Sequence, residues 1–272
     1  MTNRTRVFAP VLALLALSVA GPAWSDFALN MPVGVTTTSR DVYDLHMLIL
    51  WICTIIGLGV YGAMVVAIVK FRKSKGAVPA KFTHNGALEV VWTVIPAAIL
   101  IAMAVPAAES LIRMEDTRAS ELTIKITGYQ WRWHYDYIDH GVRFFSTLDR
   151  ESNAARRVDS GIDPRTVENY LLAVDNELVV PVDTKVRLLV TGADVLHAWW
   201  VPEFAVKKDA VPGFINETWF TADTEGTYRG QCAELCGMDH GFMPIVVRVT
   251  SKEEYEAWLG ERGAEQSSPA TP

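Results

Sequence analysis

The sequence predicts a two-helix membrane hairpin followed by an all-β domain outside the membrane. Two long apolar segments free of charged residues precede residue 110, and alternation of apolar and polar residues begins at about residue 119. The mean hydropathy is +0.17 although 21% of the residues are charged, so the apolar residues are concentrated in part of the chain. This composition excludes a disordered or collagen-like chain, and the net charge of −6 argues against a nucleic-acid-binding protein.

The N-terminus has the pattern of a secretory signal. Two arginines precede an apolar core of 14 residues at 7–20, and small residues follow it. We therefore predict a signal peptide at 1–25, with cleavage after Ser25, and a short outer segment at 26–41. The alternative, an uncleaved anchor, is less favoured because a spanning helix needs about 20 apolar residues.

The membrane hairpin is predicted at 42–112. Its spans, 45–69 and 90–108, contain 25 and 19 residues without Asp, Glu, Lys or Arg. The connecting loop at 70–88 carries five basic residues and no acidic one. The positive-inside rule places this loop in the cytoplasm and both termini outside. The signal peptide requires the same topology.

The outer domain is predicted at 119–250, with a C-terminal helix and tail at 251–272. Apolar residues alternate with polar ones, which is typical of half-buried strands in a β-sandwich or barrel. The polar stretch at 150–168 is predicted to be a surface insertion. The predicted strands are Leu122–Thr127, Trp131–Tyr137, Tyr170–Val174, Lys185–Val190, Thr218–Thr221, Thr227–Gly230 and Ile245–Thr250.

The charge is concentrated in the second part of the chain. Residues 109–272 contain 27 acidic and 17 basic side chains. Such a domain attracts a basic partner over a screening length of about 8 Å at physiological salt.

Four side chains with metal-binding chemistry lie within twelve residues between two predicted strands: Cys232, Cys236, His240 and Met243. His197 is a fifth candidate, at the predicted end of another strand. Thiolate, thioether and imidazole ligands together favour copper over hard cations. One thiolate serves one copper ion, whereas two thiolates four residues apart can bridge a pair.

The two outer cysteines are also compatible with a disulfide or a zinc site. Exported thiols oxidise readily, so Cys232 and Cys236 alone would fit a disulfide, and Cys53 lies apart in the first span. Zinc would leave Met243 without a function. The presence of His240 and Met243 at loop spacing favours a copper site.

The chain resembles subunit II of haem-copper cytochrome c oxidases, and a signal peptide indicates the bacterial type. The resemblance spans about residues 40–250. It rests on the segments Leu88–Pro96 (LEVVWTVIP), Gly128–Trp133 (GYQWRW), Asp194–His197 (DVLH), Lys208–Gly213 (KDAVPG) and Cys232–Met243 (CAELCGMDHGFM).

The resemblance implies a cupredoxin-like Greek-key barrel that holds a dinuclear copper centre, CuA. It also implies that the chain takes electrons from cytochrome c and passes them to a haem in subunit I, where oxygen is reduced to water and protons are pumped. The implied partners are cytochrome c, subunits I and III and membrane lipid, with the outer domain in the periplasm of a bacterial inner membrane. The implied copper ligands are His197, Cys232, the Glu234 carbonyl, Cys236, His240 and Met243.

The resemblance also makes Trp131 the exposed residue at which the electron arrives. Strand alternation gives the alternative, a core aromatic residue. Asp175 and Asp194 match acidic docking positions of the family, and Asp136 and Asp139 are added because they are close in sequence. Acidic side chains around Trp131 would steer lysines of cytochrome c.

Two further roles follow from the resemblance. The Glu234 side chain would bind magnesium at the subunit I interface, with Asp209 close by, although it could simply stabilise the loop. Glu89, with His84 nearby, would lie at the mouth of a proton pathway into subunit I. Its alternative role is to stabilise the positive end of a helix dipole.

Two rival functions fit parts of the sequence. Subunit II of a quinol oxidase has the same architecture but lacks the copper ligands, which this chain contains. A membrane-tethered copper carrier, or an assembly module without electron transfer, belongs to a different class.

Overall fold

The computed structural model describes residues 30–267. The predicted signal peptide at 1–25 lies outside the described residues, as do the last residues of the predicted tail. The described part contains two long helices, a β-domain and a C-terminal helix.

Helices α1, Thr37–Lys70, and α2, Gly86–Met114, form the predicted hairpin. Both are long and apolar enough to cross a membrane. They extend beyond the predicted spans 45–69 and 90–108. At about 1.5 Å per residue, the 34 residues of α1 exceed the roughly 30 Å hydrocarbon core, so its first turns project outside.

The segment before α1 is hydrogen-bonded to the β-domain. The Val35 amide donates to the Glu203 carbonyl at 3.0 Å, and its own carbonyl accepts from the Asp223 amide at 3.1 Å. The buried Thr36 hydroxyl donates to the Phe204 carbonyl at 3.1 Å while it also caps α1. Because the cap of α1 belongs to this contact, the helix starts at a fixed position against the β-domain.

The β-domain consists of two five-stranded sheets, ordered β3-β2-β1-β5-β8 and β4-β10-β9-β6-β7. The pairs β1–β5 and β4–β10 are parallel, and the others are antiparallel. This arrangement confirms the predicted all-β, cupredoxin-like fold class. The strands are β1 Leu122–Tyr129, β2 Arg132–Tyr137, β3 Val142–Ser146, β4 Leu178–Pro181, β5 Val186–Gly192, β6 His197–Val201, β7 Val206–Ala210, β8 Asn216–Phe220, β9 Gly226–Cys232 and β10 Pro244–Thr250.

The core forms between the two sheets, as the alternation predicted. Tyr137 connects the sheets directly, because its hydroxyl donates to the Val179 carbonyl at 2.7 Å and accepts from the Val179 amide at 3.0 Å. The alternating apolar residues of β1 and β2 are all buried: Leu122, Ile124, Ile126, Trp133, Tyr135 and Tyr137.

The strand prediction was wrong at Tyr170–Val174. This segment forms turns, because Leu171 adopts a positive φ of 62° that no strand residue has, and Val174 makes only an isolated bridge. Strands β3, β4, β6 and β7 were not predicted. The sequence of β7 is Val-Lys-Lys-Asp-Ala, in which only the two ends are buried. Pairing with β6, rather than apolar alternation, makes this segment a strand.

The insertion at 150–168 is more ordered than a plain surface loop. It begins with a short helix, α3, Arg150–Ala155, which Asp149 caps by accepting hydrogen bonds from two backbone amides. Ser152 and Ala155 are buried against the domain. The insertion is therefore packed onto the barrel at its start.

The C-terminal helix α4, Lys252–Ser267, occupies most of the segment predicted as a helix and tail at 251–272. Tyr255 and Leu259 on this helix are buried. Arg262 donates to the Asn176 side chain at 2.8 Å, which holds part of the predicted tail in the helix.

Candidate metal centre

The metal loop, residues 232–243, leaves one strand and returns into the adjacent one. Cys232 ends β9, and Met243 directly precedes β10. His197 is the first residue of β6, not the last residue of a strand as expected. The pairing of Trp199 with Cys232 brings β6 beside β9, so His197 lies at the same end of these strands as the metal loop.

Three buried ligand atoms form the centre of the site. One atom each of His197, Cys232 and Cys236 lies within 4.8 Å of the others. The two sulfur atoms are 3.9 Å apart, far longer than the roughly 2.05 Å of a disulfide, and both thiols are free. The gap between the sulfurs leaves space for bridged metal ions.

The remaining predicted ligands surround this sulfur pair. His240 Nδ1 is 3.5 Å and Met243 Sδ is 3.6 Å from the Cys236 sulfur. On the other side, the Glu234 carbonyl oxygen accepts from the Cys232 sulfur at 3.3 Å. The structure therefore brings together all six groups predicted from the sequence.

Asp194 orients the imidazole of His197. The Asp194 carboxylate contacts His197 Nε2 at 2.9 Å, so the other ring nitrogen, Nδ1, faces Cys232 at 3.9 Å. Such a carboxylate behind a ligand histidine fixes the ring and raises its basicity. Burial opposes the charged imidazolium, but the hydrogen bonds with Cys232 and Asp194 prevail and raise the pKa of His197.

The two thiols cannot both ionise easily in the metal-free chain. Burial, followed by the negative charge of Cys232, raises the pKa of Cys236 to about 12. Burial opposes ionisation of Cys232 as well, but hydrogen bonds, that with His197 foremost, outweigh it and lower its pKa. Bound cations would stabilise both thiolates. The buried thioether of Met243 makes the donor set softer than zinc requires, so the residues fit copper.

The turn between β1 and β2 is hydrogen-bonded to the metal loop. Gln130 Nε2 and Trp131 Nε1 both donate to the Cys236 carbonyl, at 2.8 and 3.2 Å. The Gln130 amide also donates to Asp194 at 2.8 Å. Trp131 is half-buried, lies directly before β2 and packs against the hydrophobic core without being enclosed by it. It is therefore neither a core aromatic residue nor a fully exposed one.

Two positioning residues were not singled out in the sequence. Trp133 is buried and donates from Nε1 to the Met243 carbonyl at 3.2 Å. Gly128 faces His197, and a Cβ atom at this position would lie 2.8 Å from two carbons of the imidazole ring. Both residues belong to the Gly128–Trp133 segment that carries the resemblance. Their contacts with His197 and Met243 join residues far apart in the sequence.

The four predicted docking acids differ in position. Asp175 accepts hydrogen bonds from the amide and hydroxyl of Thr147, at 2.7 and 2.8 Å. Thr147 and Trp131 line the same cleft, of about 300 Å³, so Asp175 is bonded to a residue of the cleft that Trp131 lines. Asp194 has both carboxylate oxygens engaged: Oδ1 contacts His197 Nε2 and accepts from the Val195 amide, and Oδ2 accepts from the Gln130 amide beside Trp131.

Asp136 and Asp139 lie toward the other end of the β1–β2 hairpin. Asp139 accepts from the Thr123 amide at 2.9 Å, near the start of β1, whereas Trp131 adjoins its end. Asp136 lies five residues after Trp131 along β2, which corresponds to roughly 17 Å in an extended strand. Sequence proximity therefore does not bring these two acids beside Trp131.

Glu89 lies in the first turn of α2 and takes part in its cap. The Asn85 side chain accepts from the Leu88 amide at 3.3 Å, while the Asn85 amide donates to Glu89 Oε1 at 3.2 Å. His84 contacts the Thr83 hydroxyl at 3.4 Å. The alternative role of Glu89 at the helix start thus has a structural basis.

Glu234 and Asp209 are both exposed and belong to adjoining parts of one sheet. Ala198 on β6 is paired with Asp209 on β7, and its carbonyl accepts from the Ala233 amide at 3.0 Å. Glu234 directly follows Ala233 in the chain. The backbone segments that carry the two carboxylates thus lie on either side of Ala198.

Replacing Gly128 by alanine tests how tightly His197 is positioned. Gly128→Ala should weaken copper binding by about tenfold, since overpacking costs about 1–3 kcal/mol. The measurement is copper content and visible absorption of the purified full-length protein after dialysis against a chelator. Gly241→Ala is the control, because a Cβ atom there meets nothing within 4 Å although it lies in the metal loop. Normal copper retention in Gly128→Ala would show that the imidazole is not held this tightly.

Comparisons with known proteins show the family of the chain. The family model described as "Cytochrome C oxidase subunit II, periplasmic domain" matches residues 122–250, and that of the transmembrane domain of the same subunit matches residues 24–109. A probable cytochrome c oxidase subunit 2 from Rickettsia bellii is 43% identical over 223 residues, which cover 82% of this chain and 80% of the relative.

Cytochrome c oxidase subunit 2 from Cereibacter sphaeroides is 41% identical over 247 residues, covering 86% of this chain and 82% of the relative. Among solved structures, the periplasmic domain of subunit II of cytochrome oxidase from Bradyrhizobium japonicum is 45% identical, with a TM-score of 0.47, and the match covers 55% of this chain and 98% of that chain. The chain therefore belongs to the cytochrome c oxidase subunit II family, the electron-transfer subunits of haem-copper oxidases.

Proposed function

We propose that this chain accepts electrons from cytochrome c at a dinuclear copper centre and passes them to a haem in subunit I, where oxygen is reduced to water and protons are pumped. The observation that carries the proposal is the convergence of two free thiols, two imidazoles and a thioether around a 3.9 Å sulfur pair. The proposed ligands are His197, Cys232, the Glu234 carbonyl, Cys236, His240 and Met243. A copper pair bound there would supply reversible one-electron chemistry.

The protein's contribution is to hold these donors in place from behind. Asp194 fixes the ring of His197, and Trp133 fixes the backbone at Met243. Gln130 fixes the carbonyl of Cys236. Donors held this way need little movement when the charge of the centre changes, and binding, orientation and electrostatics are what a protein supplies to a redox cofactor.

Trp131 offers the electron a short route from the surface. Its indole donates directly to the Cys236 carbonyl at 3.2 Å, and Cys236 is a proposed ligand. The ring is half-buried, so part of it remains accessible to a partner. We infer that the electron arrives at this ring and reaches the ligand through the hydrogen bond and one residue of covalent structure.

Docking of cytochrome c is proposed to involve the acidic surface near Trp131. Asp175 is the best-placed of the four predicted acids, because Thr147 connects it with the cleft that Trp131 lines. Opposite charges at the rim of such a contact act mainly on encounter. Asp194 also supports His197, so its replacement would change the metal site together with docking.

Trp131→Phe tests the electron route in the assembled oxidase. It should slow reduction by cytochrome c by at least about tenfold, because the indole donor and its contact with Cys236 are lost. The copper absorption spectrum should stay normal. The readout is stopped-flow reduction, and Trp219→Phe, a half-buried tryptophan on β8, is the matched control.

In the same assay Asp175→Asn should raise the KM for cytochrome c and flatten its salt dependence, leaving the maximal rate unchanged.

Wild-type reduction kinetics in Trp131→Phe would contradict the proposed electron route.

A magnesium site at the interface with subunit I is proposed at the Glu234 side chain, with Asp209 close by. Both carboxylates are exposed, and Ala198 connects their segments. Magnesium is usually bound by one or two protein carboxylates together with water and other partners. Subunit I would supply the remaining ligands.

Glu234→Gln should lower the magnesium content of the purified complex without changing its copper content, because only the Glu234 carbonyl faces the sulfur pair. Elemental analysis of the complex measures both metals. Asp183→Asn, an acidic residue in a turn on another edge of the domain, is the control. A full magnesium content in Glu234→Gln would exclude this carboxylate as a ligand.

Glu89 is proposed to deliver protons toward subunit I from the cytoplasmic side, with His84 nearby. It lies at the start of α2, on the side of the membrane that the basic loop predicts to be cytoplasmic. Its side chain is exposed apart from the hydrogen bond with Asn85, so it is available to solvent or to subunit I. Capping and proton delivery are separable, because they need different properties of the side chain.

Glu89→Gln keeps an oxygen that can accept from Asn85 but cannot carry a proton. Steady-state oxygen consumption of the complex should therefore fall by at least about tenfold, while the copper centre is reduced normally. Asn85→Ala is the reverse control: it removes the cap, which costs about 1 kcal/mol of local stability, and keeps the carboxylate. Normal turnover in Glu89→Gln and a loss in Asn85→Ala would leave only the capping role.

We further propose that the protein lies in a bacterial inner membrane, with the β-domain in the periplasm and subunits I and III and lipid around the helices. The complete ligand set favours it over a quinol oxidase subunit, which lacks these ligands. A membrane-tethered copper carrier would bind copper but would not be reduced by cytochrome c, so the stopped-flow experiment separates the two.

A further inference from the structure

The polar insertion contributes an arginine to the metal loop. Arg156, which follows α3, donates from Nη1 and Nη2 to the two carboxylate oxygens of Asp239, at 3.2 and 3.0 Å. Its Nε donates to Asn153 Oδ1 at 2.8 Å, and the guanidinium lies 4.3 Å from the centroid of the Phe242 ring. Both edges and one face of the guanidinium are therefore occupied.

These contacts fall directly beside two proposed ligands. Asp239 precedes His240, and Phe242 precedes Met243. The intervening segment is a 3-10 turn, in which the Phe242 amide donates to the Asp239 carbonyl at 2.9 Å. Arg156 thus binds both ends of the turn that presents His240 and Met243 to the sulfur pair.

The arginine is itself fixed to the barrel. Ser152 is fully buried, and its hydroxyl accepts from the Leu171 amide at 3.1 Å. The Arg156 amide donates to the Ser152 carbonyl at 3.0 Å. Asp149 caps the same helix at its other end. Arg156 therefore connects the metal loop to an anchored helix rather than to a free surface loop.

The ion pair between Arg156 and Asp239 is of a stronger kind than an exposed surface pair. The side chains of Arg156 and Asp239 are only 25% and 22% exposed, and their contact is bidentate. Bidentate charged hydrogen bonds are about twice as strong as neutral ones. The Arg165–Asp163 pair in the same insertion is 89% and 43% exposed and joins residues only two apart. Such an exposed local pair contributes little.

We propose that Arg156 is a positioning residue of the metal centre, which holds His240 and Met243 in place before metal binds and slows loss of the metal afterwards. The identity of the metal as copper rests on the proposed function. The clamp itself rests on the contacts of Arg156 with Asp239 and Phe242.

The first experiment needs no metal. Amide hydrogen exchange is measured on the metal-free full-length chain in detergent. Arg156→Gln should speed exchange at the amides of His240 and Phe242 by about tenfold, because the bidentate charged hydrogen bonds that hold the turn are lost. Arg165→Gln, the matched control, should leave these amides unchanged. Asp239→Asn should act in the same direction, and the double variant should exceed neither single variant by much.

The second experiment uses the copper-loaded oxidase complex. Arg156→Gln and Asp239→Asn should each release copper to a copper(I) chelator faster than wild type and alter the copper spectrum. The reduction potential of the copper centre should shift in opposite directions in the two variants. Loss of Arg156 leaves the negative charge of Asp239 unpaired near the centre, whereas loss of Asp239 leaves the positive charge of Arg156 unpaired. The double variant should regain a near wild-type potential but keep the faster release. A merely structural contact would not produce this pattern.

Unchanged amide exchange together with unchanged copper release in assembled Arg156→Gln would overturn the proposal. Should Arg156→Gln not fold, Asp239→Asn decides in its place, because asparagine has nearly the same shape as aspartate. A wild-type chain that binds no copper would refute the proposed function, while the exchange experiment would still decide whether Arg156 holds the turn.

Discussion

Two buried thiols that lie too close to ionise together are the constraint on which the site depends. The sulfurs of Cys232 and Cys236 are 3.9 Å apart, and burial with the charge of the neighbouring thiol raises the pKa of Cys236 to about 12. Two thiolates in such surroundings need cations between them, as desolvated charges are costly without partners. Metal binding and formation of the charged ligand set are therefore one coupled event.

The fold meets this constraint by holding the donors from several directions. Asp194 orients His197, Trp133 holds the carbonyl of Met243, and the turn before β2 holds that of Cys236. These supports come from strand β2, the turn before it and the loop between β5 and β6. Because hydrogen bonds hold the ring of His197 and the backbone of Cys236 and Met243, the protein arranges these donors before metal binds, and such support is typical of well-defined metal sites.

The long helices separate the proposed electron and proton functions. Glu89 lies in the first turn of α2, and the opposite end of this 29-residue helix leads into the β-domain that carries the metal loop. At about 1.5 Å per residue the helix spans about 43 Å. The hydrogen bonds of Val35 and Thr36 join α1 to the same domain. The metal site is thus held at the outer end of the hairpin and Glu89 at the inner end.

Local patterns of residues were enough to predict the apolar hairpin, the alternation in β1 and β2, and the closely spaced donors of the metal loop. Which residues support those donors depends on how distant parts of the chain pack together. Asp194 matched a docking acid but is bonded to His197, and Arg156 reaches Asp239 across 83 residues of sequence. Periodicity and spacing report local geometry, whereas such contacts form only when distant strands and loops pack together, so no local pattern contains them.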